Sequence, residues 1–142
     1  MNWQELAFNS HYQTAEAIKQ QLIRGDIEEA TAGVKELIEA MGRSEKRSLQ
    51  SQLVRLMTHV IKWKIQPERR TKSWILSIRH ARREIEETQE EYPSLNRNYI
   101  QTIWEKCLNY ALKDAETETE ISPAELSSLS WQEVFEHEYH LH

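Results

Sequence analysis

Residues 44–66 read SEKRSLQSQLVRLMTHVIKWKIQ, and this stretch decides the fold. Leu49, Leu53, Leu56 and Val60 recur at i, i+4, i+7 and i+11, the spacing of one helix face, and Met57, Ile61 and Trp63 widen that face. Ser44 is a candidate N-cap, and Pro67 forces Gln66 out of helical geometry, so the pattern predicts a helix of about 22 residues, or ~33 Å. Working outward, Thr71 or Ser73 can cap a second helix carrying Trp74, Ile78, Ala81 and Ile85 at the same spacing and ending before Pro93. The two form an antiparallel hairpin about Pro67, in which residues whose numbers sum to about 136 lie level.

The flanking sequence repeats the helical pattern. Ala7, Ala15, Ile18 and Leu22 fall on one side of a helix from Asn2 to Arg24, stopped by Gly25. Asp26 and Glu29 resemble a capping box, Ile27, Ala30, Val34, Leu37 and Ile38 supply the stripe that follows, and Gly42 stands where a C-cap residue is wanted. Beyond Pro93, Ser94 opens a helix with Ile100, Ile103, Trp104, Cys107, Leu108, Ala111 and Leu112, and the acidic run Asp114–Glu120 reads as a linker. Ser122 with Glu125 and Ser130 with Glu133 form two further capping boxes. They start short turns that offer Leu126, Leu129, Trp131, Val134 and Phe135 to the body. The expected fold is an all-α, single-domain bundle over residues 1–142. It has about five main helices, a long antiparallel central hairpin and, over 113–142, an acidic linker and helical C-terminal strap.

Composition narrows the class of protein. With 142 residues, three Gly, three Pro and one Cys, the chain can bury a core without disulfides or a thiolate zinc site. A single cysteine fits a reducing compartment, and the sequence shows neither a membrane span nor an export signal, so a cytoplasmic location is expected. The net charge of −5 conceals a strong asymmetry: residues 1–42 sum to −4, 43–83 to +10 and 84–142 to −11. The second hairpin helix has its cations first and its acids last, the reverse of what the helix dipole favours. Lys62, Lys64, Arg69, Arg70, Lys72, Arg79 and Arg82 are the candidate anion-binding residues, for nucleic acid or an acidic protein. The competing expectation is that the acidic strap, residues 114–138, or the first two helices fold over these cations and neutralise them. Trp63 and Trp74 lie on the apolar stripes and read as core rather than as stacking platforms.

The run Met41–Arg47, then Leu53, His59, Lys62-Trp63, Gln66–Arg70, Ser73-Trp74, Ile78 and Arg82–Glu86 resembles the family called domain of unknown function 29. The resemblance continues through Pro93–Leu95, Ala115–Thr117 and Trp131–Phe135. Members are mostly small cyanobacterial or other bacterial proteins. The resemblance implies a helical bundle and no established activity.

Catalytic constellations are sparse. Arg55 and His59 share a helix face at i, i+4 and resemble the Arg/His motif of helical HEPN ribonucleases, although three residues intervene where that motif has four to six. His137, His140 and His142 are too loosely spaced for a metal site, no cofactor motif is present, and Cys107 lies on an apolar stripe. The expected function is a non-enzymatic module engaging RNA or DNA through the basic hairpin. The alternatives are an interaction or antitoxin-like module that docks an acidic protein, and a weak HEPN-like ribonuclease. A homodimer is left open, and no membrane association is expected.

Overall fold

The computed structural model describes residues 1–123, 126 and 128–141. It is all-helical, with no strand among the described residues. α1 is Trp3–Asn9, α2 His11–Ile23, α3 Ile27–Ile65, α4 Lys72–Glu91 and α5 Arg97–Thr119. A 3-10 turn covers Pro67–Arg69 and a π turn covers Gln132–Glu136. The chain divides into two compact units, 1–47 and 48–142, with α3 running through the division.

The first unit corrects two expectations. The helix expected from Asn2 to Arg24 breaks at Ser10, whose backbone is extended and whose hydroxyl accepts the Gln13 amide at 3.0 Å. The break shifts the helical phase, so Ala7 and Ile18 are buried while Ala15 and Leu22 are exposed. Gly42 ends no helix: it lies inside α3, and of the three glycines only Gly25 has a positive φ, 81°. Two helices expected on either side of Gly42 are therefore one, because the helix formers around it outweigh the roughly 1 kcal/mol that a mid-helix glycine costs. Asp26 does cap α3, accepting the Glu29 amide at 3.2 Å, while the Glu29 carboxylate accepts the Trp3 indole N–H at 2.8 Å. Trp3, Ile18 and Ala30 form the small core of this unit, and Gly33 is what lets the three helices close on it.

In the second unit the expected hairpin is present. Leu49, Leu53, Leu56, Met57, Val60 and Ile61 of α3 share one core with Ile78, Ala81 and Ile85 of α4 and with Ile100, Cys107, Leu108, Ala111 and Ala115 of α5. Thr71 is the cap, accepting the Trp74 amide, and Lys62 lies 4.9 Å from the Trp74 ring, as the level of 136 requires. α5 starts later than expected, on the Asn96 cap, and the Asp114–Glu120 run is its last turns rather than a linker. Ala111 and Ala115 hold those turns against the core while the acids face outward, and Glu120 closes the helix at φ 61°. The Ser130–Glu133 capping box is reciprocal, at 2.9 and 3.1 Å. The Ser122–Glu125 box involves Glu125, which lies outside the described residues.

Glycine substitutions separate the two roles just described. A Cβ on Gly33 would stand 2.7 Å from Ile18 Cγ1 and 2.8 Å from the Trp3 ring, whereas one on Gly42 would meet nothing within 4 Å. Gly33→Ala should destabilise the protein by about 1–3 kcal/mol through overpacking, and Gly42→Ala should stabilise it by up to about 1 kcal/mol. Urea unfolding followed by circular dichroism measures both.

Candidate polyanion interface

The basic segment of the hairpin is divided between cations turned into the second unit and cations turned out of it. Arg82 leaves α4 midway and is half-buried. Its Nε donates to the Val134 carbonyl at 2.8 Å, its Nη2 donates to the Glu133 carbonyl at 3.3 Å, and its guanidinium lies 5.7 Å from the Tyr139 ring. Those carbonyls belong to the π turn, whose C-terminal end leaves acceptors without helical partners, and a cation there also meets the negative end of the turn. The Tyr139 hydroxyl donates to the same Glu133 carbonyl at 2.7 Å, and burial pushes the Tyr139 phenol up to about 12. Burial also lowers the Arg82 pKa below its ordinary value, against the stabilising influence of Tyr139 and Glu138.

Two lysines meet acids from elsewhere in the unit. Lys64 pairs with the Glu133 carboxylate and Lys62 with Glu118 of α5 at 3.0 Å. Partial burial would raise the Glu133 pKa, but the hydrogen bonds from Lys64 and the Ser130 amide outweigh it and hold the carboxyl below its ordinary value. Arg70 is tied to α3: its Nε donates to the Trp63 carbonyl at 2.9 Å and its guanidinium stacks 4.7 Å from the Trp63 ring. The same device recurs here, an arginine closing a helix C-terminus. Between these groups lies a cleft of about 440 Å³, lined by Trp63, Lys64, Arg70, Glu133, His137 and Tyr139 among others.

The strap that supplies these partners is part of the core. Leu129 and Val134 are buried, Trp131 stacks on Trp104 of α5 at 5.7 Å, and Phe135 lies 4.4 Å from Trp131. Tyr139 meets the edge of Trp63 at 5.3 Å. Trp63 is thus core, as its stripe predicts, and Trp74 is half-buried against the same cluster.

Arg69, Lys72 and Arg79 are exposed and make no ion pair among the described residues. Lys72, Arg79 and Arg83 fall at i, i+7 and i+11 on the outer face of α4, and Arg69 precedes them in the 3-10 turn. Leu76, 48% exposed, lies on the same face between Lys72 and Arg79.

Arg55 and His59 lie one turn apart on α3. Arg55 is exposed, while His59 Nδ1 is 2.9 Å from the Arg55 carbonyl of its own helix, an internal bond that leaves only Nε2 available. Burial, with Lys62 and Arg55 nearby, lowers the His59 pKa despite that bond, so the ring is neutral near pH 7. Among the described residues no group of three or more His, Cys, Asp or Glu is placed to hold a metal ion, and no helix is long and apolar enough to cross a membrane. Cys107 is buried, and burial pushes its thiol up to about 11, so it has little thiolate character. Sequence reasoning missed Tyr139 and the carbonyls of Glu133 and Val134. Tyr139 stands in a terminal segment without periodicity, and a main-chain acceptor leaves no mark in side-chain spacing.

An all-helical protein is the class that this geometry defines. The chain belongs to the family described as Domain of unknown function DUF29, which matches residues 8–140. No curated protein and no solved structure matches it.

The Glu133 bond has a pH signature. Because its folded pKa lies below the unfolded value, its contribution is present above about pH 4.5 and is lost as pH falls through the folded value. The urea midpoints of wild type and Lys64→Met should therefore differ at pH 6–7 and converge as the pH falls through the lowered folded value of Glu133.

Proposed function

We propose that this protein is a non-enzymatic binding module that engages RNA or DNA through the outer face of α4 and the turn before it. The observation that supports this reading is the placement of Arg69, Lys72, Arg79 and Arg83. Lys72 and Arg79 stand in the N-terminal half of α4, which has no acid in its first turn, with Arg69 just before the helix and Arg83 just past its middle. That order costs helix stability, because the dipole already places partial positive charge there. Lys62 and Lys64 have internal carboxylate partners, and Arg82 is held by main-chain carbonyls. Arg69, Lys72 and Arg79 have none among the described residues, and a row of phosphates would supply the missing anions. A second reading, docking to an acidic protein surface, is favoured by Leu76, whose apolar side chain stands within the cationic face.

Fluorescence anisotropy with labelled single-stranded RNA and duplex DNA tests the proposal. Three or four phosphate contacts on duplex DNA predict a loss of affinity of roughly 40- to 150-fold between 50 and 200 mM salt. Lys72→Glu and Arg79→Glu should each weaken binding, Lys64→Met should not, and a denaturing gel should show the oligonucleotide intact. An absence of binding at the lower salt would remove the nucleic-acid reading and leave the protein partner.

A further inference from the structure

The first unit leaves an apolar helix face uncovered. Nine of the thirteen large hydrophobic residues that are exposed among the described residues lie within residues 1–47. Four of them, Ile27, Val34, Ile38 and Met41, are 61%, 41%, 64% and 38% exposed, and all are on α3. With Thr31 they follow a 4-3-4-3 spacing, the seam of a two-stranded coiled coil, over about 21 Å of helix. The sequence pattern had merged this seam with the stripe that packs at home. That inner stripe is Ala30, Gly33, Leu37 and Ala40, about 100° round the helix. Glu45 ends the outer seam where the next apolar residue would fall.

We infer that the outer seam of α3 is a self-association surface whose occupant is the same seam of a second copy, running antiparallel. Charge selects this occupant. Glu28 and Lys35, both exposed and without an ion pair among the described residues, occupy equivalent flanking positions seven residues apart on one side of the seam. In an antiparallel pair with Ile27 level with the second copy's Ile38, and Thr31 with its Val34, equivalent flanking positions meet across the axis. Glu28 of each copy then reaches Lys35 of the other, and two-fold symmetry makes both pairs at once. A parallel pair would set these charges beside Ala30 and Leu37, where they find no partner. The surface is short, so the dimer is reversible and concentration-dependent.

Sedimentation velocity of the full chain from about 5 to 500 µM tests this. The wild type should move from the 16.9 kDa monomer toward twice that mass. Ile38→Glu should remain monomeric, about tenfold or more weaker in association, with an unchanged circular dichroism spectrum because the side chain is mostly solvent-facing. Glu28→Lys should weaken the dimer, and adding Lys35→Glu should restore it. A monomer at every concentration would overturn the inference, as would a dimer indifferent to Ile38→Glu. Failure of the double charge reversal to recover association would overturn the antiparallel register.

Discussion

Arg82 sits where the two halves of the basic hairpin separate. Its guanidinium closes the carbonyl end of the π turn under the Tyr139 ring, and in doing so it fixes the strap against α4. Once the strap is in that position, Glu133 meets Lys64 and Val134 enters the core. A half-buried guanidinium is costly to unpair, since removing its acceptors would leave a partly desolvated cation without partners. The cations on the other side of α4 carry no such constraint. The Arg82 contact, with those of Lys62, Lys64 and Arg70, divides a +10 segment into a structural part and an outward part.

Arginine is used twice in the same way. Arg70 closes the end of α3 and Arg82 closes the π turn, and each lies over an aromatic ring, Trp63 and Tyr139 respectively. The planar fork suits both tasks, donating along its edge while its face covers an aromatic surface, and lysine could do neither as well. Lys62 and Lys64 instead meet carboxylates as compact charges at the rim. The acidic excess of residues 84–142 is thereby partly employed at home, and most of it remains in water.

The elements that were legible in the sequence are those set by local physics. Thr71, Asp26 and the Ser130–Glu133 box cap where their side-chain chemistry predicts, and the period of Leu49–Val60 and of Ile78–Ile85 names the core of the hairpin. The errors came where a local signal was weaker than its neighbours or was passed over. Gly42 looked like a stop but is outvoted by helix formers, while Ser10 with Gln13 three residues on is a start signal within an apparently continuous stripe. The acids of Asp114–Glu120 looked like a linker because Ala111 and Ala115, the residues that anchor those turns, are small. The candidate site was legible as a segment and not as a surface. Which cations turn inward depends on main-chain carbonyls and on Tyr139, brought from more than fifty residues away by tertiary folding.

The division of the basic segment can be read in one experiment, the arginine Nε–H spectrum of the full chain with and without an RNA oligonucleotide. The account predicts slowly exchanging Nε–H signals for Arg70 and Arg82 that hold their positions, and rapidly exchanging signals for Arg69, Arg79 and Arg83 that shift as RNA is added. A shift or loss of the Arg82 signal on adding RNA, with Arg79 unmoved, would contradict it.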